Sequence, residues 1–206
     1  MVAPISMPSN YFAAASYDLR RYTSRNELYG GVTQVREQGE PRWMAQYRTA
    51  PLTEIERRTW RGFWDRLKGG LVTFLGYDPA QSVPAAYADS GIMPGGFNGI
   101  TSISNISANQ LTIGGLPAGF VLSNGDLIEL AQGDNHAVHR IIVANPPGST
   151  IIVAVEPAVR TAVYSAPSGN LRNPGCNMIA IPDSWSYMAE ASSYPGATFS
   201  AIQKIA

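Results

Sequence analysis

Few residues in this chain are of a type and spacing to do chemistry, and its two histidines come first. His136 and His139 lie in Asp134-Asn135-His136-Ala137-Val138-His139. On a helix that spacing puts both imidazoles on one face, ready to fill two positions of a tetrahedral zinc site. Here the pair opens an apolar run that reads as a strand, in which residues i and i+3 face opposite sides. Asp134 is near, but no third ligand is placed with them, so the expectation is exposed strand or turn histidines and no metal. Asp126 and Glu129 are the other candidate pair, as a general acid and base. Asp126 follows Asn124-Gly125, however, and a hairpin turn whose aspartate bonds its local backbone accounts for it without catalysis.

The single cysteine, Cys176, excludes an internal disulfide and any multi-thiolate metal site. It sits in Asn173-Pro174-Gly175-Cys176-Asn177, a turn-like setting with no basic neighbour to favour the thiolate, and reads as a small structural residue. No serine occupies a Gly-x-Ser-x-Gly elbow, and neither phosphate-loop pattern, Gly-x-Gly-x-x-Gly or Gly-x-x-x-x-Gly-Lys-Ser/Thr, occurs. With two histidines, candidates for a general base near neutral pH are scarce. The expectation is a protein with no catalytic residue and no cofactor, hence not an enzyme.

The elements that would position these residues are mostly strands. The chain has 206 residues, 45% of them apolar and only 15% charged, with 20 glycines and 15 prolines. That composition describes a globular chain rich in turns, with a surface poor in charge. Its 15 basic and 15 acidic groups balance, so nucleic acid is not expected as the main partner, because phosphate neutralisation needs clustered Lys and Arg. The charge is uneven: residues 1–90 carry 11 basic and 9 acidic groups, residues 91–206 only 4 and 6. The amino terminus, MVAPISMPSN, lacks the basic and long apolar segments of a signal peptide. No apolar run approaches the length of a membrane helix, so no membrane insertion is expected.

In the charge-rich front, residues 17–22, 31–36 and 42–48 read as strands. Trp43, Ala45 and Tyr47 share one face of the third, with Arg42, Gln46 and Arg48 on the other, a half-buried pattern. Thr53-Glu54-Ile55-Glu56 predicts a capping box opening a helix. Trp60, Phe63, Trp64 and Leu67 then form one apolar stripe, with Arg57, Arg58, Arg61, Asp65 and Arg66 mostly elsewhere. Gly69-Gly70 ends the helix, and Leu71–Leu75 reads as a buried strand. The aromatic and arginine residues Trp43, Arg57, Trp60, Arg61, Trp64 and Arg66 are candidates for core or for an assembly interface, since interface centres favour both types.

Residues 76–99 read as a loop. Beyond residue 100, short apolar runs at Ile100–Ile106, Gln110–Ile113, Asp126–Leu130, Val138–Val143, Ile151–Val155 and Asn177–Ile181 alternate with Gly, Asn and Pro turns, as in a small antiparallel barrel or sandwich. Ala197–Ile202 reads as a last strand that returns to the front, making the barrel an insertion. The expected fold is mainly β (α+β), with residues 1–90 and 185–206 in one discontinuous domain and 98–184 in an inserted one.

The run Arg42-Trp43-Met44-Ala45-Gln46-Tyr47-Arg48-Thr49-Ala50-Pro51-Leu52-Thr53-Glu54 resembles a pattern in phage minor tail and distal tail proteins. So do its continuation through Trp60–Gly70 and the stretch Phe74-Leu75-Gly76-Tyr77-Asp78-Pro79. In these proteins a strand leads to Pro-Leu, an amphipathic helix, then Leu-x-Gly and a strand ending near Asp-Pro. Leu122–Glu129 resembles the Gly-Asp-x-Ile strand of their inserted β-domain. Val155–Arg160 resembles its Pro-x-Leu-Arg element, with Val159 in place of Leu, and Pro174–Met178 resembles the turn before its last strand. The likeness spans about two thirds of the chain. It implies a belt-like split β-barrel domain carrying the insertion. It also implies a virion protein of the tail tip, made in the host cytoplasm, that assembles with itself into a closed ring. A hexamer is the expected order. The implied partners are the tail-tube protein and the tail hub or tape-measure proteins. A carbohydrate-binding or other tail-hub adaptor module is the alternative.

Overall fold

The computed structural model describes residues 3–8, 12–27, 31, 33–187 and 196–205. Among these residues, twelve strands and one α-helix form two β-units. Strands β1 (Ile5–Ser6), β2 (Phe12–Glu27), β3 (Thr33–Thr49), β4 (Phe74–Tyr77), β11 (Gly175–Ala180) and β12 (Thr198–Gln203) make a six-stranded sheet in the order β1-β4-β11-β12-β3-β2. Strands β5 (Ile100–Ser104), β6 (Gln110–Gly114), β7 (Leu127–Gln132), β8 (Asn135–Ala144), β9 (Ile151–Glu156) and β10 (Ser168–Asn170) close into an antiparallel barrel in the order β10-β5-β6-β9-β8-β7. The chain leaves the sheet after Tyr77 and re-enters at Gly175, and those two residues are directly paired across β4 and β11.

Helix α1 (Glu54–Arg66) starts where its cap predicts. Thr53 and Glu56 form a capping box, the Glu56 carboxylate accepting from the Thr53 amide at 2.7 Å. The stripe faces inward, with Trp60, Phe63 and Leu67 buried and Trp64 half-buried. A left-handed Gly69, at φ 64°, turns the chain out of the helix. The strand after it starts later than the sequence suggests. Leu71 is 85% exposed in the turn, and β4 begins only at Phe74.

In β3 the alternation of Trp43, Ala45 and Tyr47 inward against Arg42, Gln46 and Arg48 outward is as expected. The two strands anticipated at 31–36 and 42–48 are one, however; Val32 lies outside the described residues. Gly39 and Pro41 look like a stop in the sequence, yet the β2–β3 ladder passes them with register shifts between Arg20 and Thr23. Bulges of this kind are where a sheet tolerates a proline. The run at 177–181, grouped above with the barrel, lies instead in β11, between β4 and β12 of the open sheet. Barrel closure falls to β10, which has no apolar pattern to announce it. Gly169 sits so close to β5 that a Cβ there would overlap Thr101 Oγ1 and Ile103 Cδ1.

Two cores result. The sheet and helix enclose Trp43, Tyr47, Trp60, Phe63, Phe74, Met178 and Phe199. The barrel encloses Leu111, Ile113, Phe120, Ile128, Leu130, Ile141 and Val153. Leu127 and Val138 point out of the barrel into the sheet's core.

Candidate functional site

Two places gather the residues singled out by the sequence, and a third stands out in the structure. The first is the aromatic cluster under α1. Phe199 is its hub, with ring centroids at 5.0 Å from Tyr47, 5.9 Å from Trp60, 6.4 Å from Phe63 and 6.2 Å from Phe74. Trp60 is core. Trp64, half-buried, stacks on Trp185 at 5.1 Å, so the segment after β11 covers that side of the helix. Arg57 donates to the Tyr187 hydroxyl at 3.0 Å, its guanidinium over the same ring. Arg61 pairs with Asp65 at 3.2 Å, and Arg66 is exposed. The six candidates therefore divide: Trp43 and Trp60 are core, Trp64 and Arg57 hold the C-terminal segment, and Arg61 and Arg66 lie on the surface.

The second place is the junction of barrel and sheet. Trp43 Nε1 donates to the Val138 carbonyl at 2.8 Å, and Arg140 stacks on the Trp43 ring at 5.0 Å. Glu129 is buried, yet all its neighbours are donors: His136 Nδ1 at 2.6 Å, Asn170 Nδ2 at 3.1 Å and the Gly175 amide at 3.1 Å. It ties β7 and β8 of the barrel to the start of β11. Asn177 Nδ2 donates to the Asp134 carbonyl at 2.8 Å, and Arg21 pairs with Glu156 at 2.8 Å. Arg160 pairs with Glu40 on the hairpin.

The expected exposed histidines are not exposed. Register puts them on opposite faces of β8, His139 opposite the core residue Ile128 and His136 opposite Ala131. His139 is buried, with Nδ1 donating to the Pro157 carbonyl at 2.7 Å and Nε2 without a partner. Burial lowers its pKa to about 4, so it is neutral at physiological pH. His136 and His139 both border a cavity of about 290 Å³ between barrel, hairpin base and carboxy-terminal strand. Its lining also includes Arg160, Tyr164, Gln203 and Lys204. Asp126 and Glu129 share no hydrogen-bond partner. The Asp126 carboxylate accepts from the Ser123 amide at 2.7 Å, as a turn aspartate should, and from the Ala85 amide at 2.8 Å, fastening the connecting loop. Cys176 lies on β11 rather than in a turn, buried against the Tyr17 hydroxyl at 3.1 Å, and burial pushes its thiol up to about 12. Among the described residues no three His, Cys, Asp or Glu cluster to hold a metal ion, and no helix is long and apolar enough to cross a membrane.

The third place is one the sequence did not disclose. Beyond Leu19 and Trp43, β2 and β3 run on as a two-stranded arm, Arg20–Glu27 against Thr33–Arg42, in which no described residue is buried. At roughly 3.3 Å per residue, the run from Arg20 to Glu27 reaches roughly 26 Å. β2 is also one edge of the sheet. Val35, on the arm, is 66% exposed.

No protein-family model matches the chain, and no curated protein matches it. Its class is therefore set by architecture: a mainly β protein in which a six-stranded sheet with one helix carries a closed six-stranded barrel between adjacent strands.

Proposed function

We propose that this chain is a structural protein of a phage tail tip, assembling into a ring that joins the tail tube to the tail hub, and that it works by assembly rather than by catalysis. The observation that carries this reading is the arm. An isolated two-stranded hairpin is marginal in water, and among the described residues of this one none is fully buried. Its stability is supplied by a surface it lies on, and an open strand edge is the natural template for such a contact. A neighbouring subunit in a ring provides that surface repeatedly and closes the set of contacts. The barrel, held to the arm base through Arg160–Glu40 and Arg21–Glu156, is fixed relative to the arm, as a component of a rigid assembly requires.

Electron microscopy of the purified chain, alone and mixed with tail-tube protein, tests the reading. Rings, or caps on tube ends, are expected. Replacing residues 22–39 with an Asn-Gly turn leaves a folded chain that no longer forms them. A wild-type chain that stays monomeric under both conditions and binds a glycan instead sinks the proposal.

A further inference from the structure

The cavity between the barrel, the hairpin base and the carboxy-terminal strand is lined by polar groups that the fold leaves unused. Three of its lining side chains are themselves buried: His139 and Tyr164 are each 3% exposed and Gln203 is 6% exposed. Gln203 turns its Oε1 to the Trp43 amide at 3.2 Å, which fixes the side-chain NH2 on the opposite side. Among the described residues, no hydrogen-bond partner takes up that NH2 or the Tyr164 hydroxyl. Neither belongs to the sealed, unsatisfied atoms of the interior, so both open onto the cavity that their residues line. A buried donor without a partner is costly, and native folds rarely keep two together without a use for them.

The charged groups at the same place point to the sign of the occupant. His136 is bonded to Glu129, and Glu40 is paired with Arg160. Lys204, exposed at the rim, has no ion pair among the described residues. The bare acceptor of the group, His139 Nε2, is sealed from solvent, its Nδ1 being committed to the Pro157 carbonyl. The reachable, unpartnered groups are therefore donors: an amide, a phenol and an ammonium. Such a set satisfies a carboxylate, whose two oxygens accept from several donors at once. Pro41, Ala137, Pro157, Ala158, Val159 and Ile205 supply apolar walls around it. A volume of about 290 Å³ lies at the small end of the roughly 300–1,000 Å³ of ordinary ligand pockets.

We infer that this cavity binds a small aliphatic carboxylate. The carboxylate accepts from Tyr164 Oη, Gln203 Nε2 and Lys204 Nζ, and the alkyl chain lies against the proline and valine walls. Tyr164 belongs to the barrel unit, while Gln203 ends β12 of the sheet and Lys204 follows it. The ligand thus bridges the two units, and binding stabilises the folded chain by mass action.

The site does not rest on the assembly reading, because binding is measured on the full chain whatever its oligomeric state. Sodium butyrate and sodium hexanoate are the probes, followed by melting temperature and titration calorimetry. Both are expected to raise the melting temperature saturably, whereas butyramide, which keeps the shape without the charge, and sodium chloride at equal ionic strength do not. Tyr164→Phe and Lys204→Gln each remove one donor and are expected to weaken binding about tenfold. A ligand-free melting curve matching wild type shows that each variant is folded, and Lys204→Gln, at the exposed rim, keeps the test open if Tyr164→Phe unfolds. Absence of a saturable shift with both salts overturns the inference. So does butyramide binding as well as butyrate, or undiminished affinity in either folded variant.

Discussion

The sheet and the barrel each contain six strands, yet they solve the same physical problem in opposite ways. The barrel joins β10 to both β5 and β7, so every strand has two neighbours and no backbone edge faces water. The sheet stays open, ending in the two-residue β1 on one side and the 16-residue β2 on the other. An open edge is a liability unless something uses it. The long edge is also the one that runs out into the arm. The closed unit is thus self-sufficient in its backbone and exposes only side chains. The open unit presents backbone.

The largest expected effect tests how the open unit holds together without closure. Phe199→Ala removes the ring shared by α1, β3 and β4 and is expected to cost about 3–5 kcal/mol, measured by chemical denaturation. A cost below about 1 kcal/mol would mean that the helix and sheet do not depend on this shared core. The barrel is probed by pH. His139 has a folded pKa near 4 against an unfolded value near 6.5, because burial disfavours the imidazolium. The unfolded chain thus takes up the proton first as pH falls. Stability is unaffected above about pH 6.5, declines between about 6.5 and 4, and levels off below, by up to about 3 kcal/mol. His139→Gln flattens that part of the curve, and an unchanged slope would place the acid sensitivity elsewhere. The smallest effect is at the seam. Arg21→Ala breaks a half-exposed pair with Glu156 and is expected to cost less than about 1 kcal/mol, with a weaker effect in high salt.

What was legible in the sequence was what local chemistry decides. The Thr53–Glu56 box and the stripe of Trp60, Phe63 and Leu67 specify a helix, its start and its buried side, because both signals act within a few residues. Trp43, Ala45 and Tyr47 likewise disclose a strand and its inward face. The barrel's strands β5 to β9 show as apolar runs between turns. What failed was long-range. Membership of β11 is set by pairing with β4 and β12, nearly a hundred residues from one of them and twenty from the other, so its apolar run looked like one more barrel strand. β10 closes the barrel through Ser168, Gly169 and Asn170, where the requirement is absence of a side chain rather than presence of an apolar one. The arm was hidden because Gly39 and Pro41 interrupt alternation, and a bulge absorbs the interruption. His139 misled by type: a polar residue at a strand start suggests exposure, while register places it beside Ala137 and Ile141 on the side of the core.

The pairing of Tyr77 with Gly175 carries one more consequence. Paired residues in an antiparallel ladder stand about 5 Å apart, so the chain departs from the sheet and returns to it at almost the same point. To the sheet, the whole barrel is a long hairpin connection. Any module whose ends meet at that separation can be spliced into the same socket, and the sheet registers no change in its own connectivity. The constraint on such an exchange is the lid: a replacement has to cover Trp43 as Leu127, Val138 and Arg140 do, or the scaffold that accepts it loses its seal.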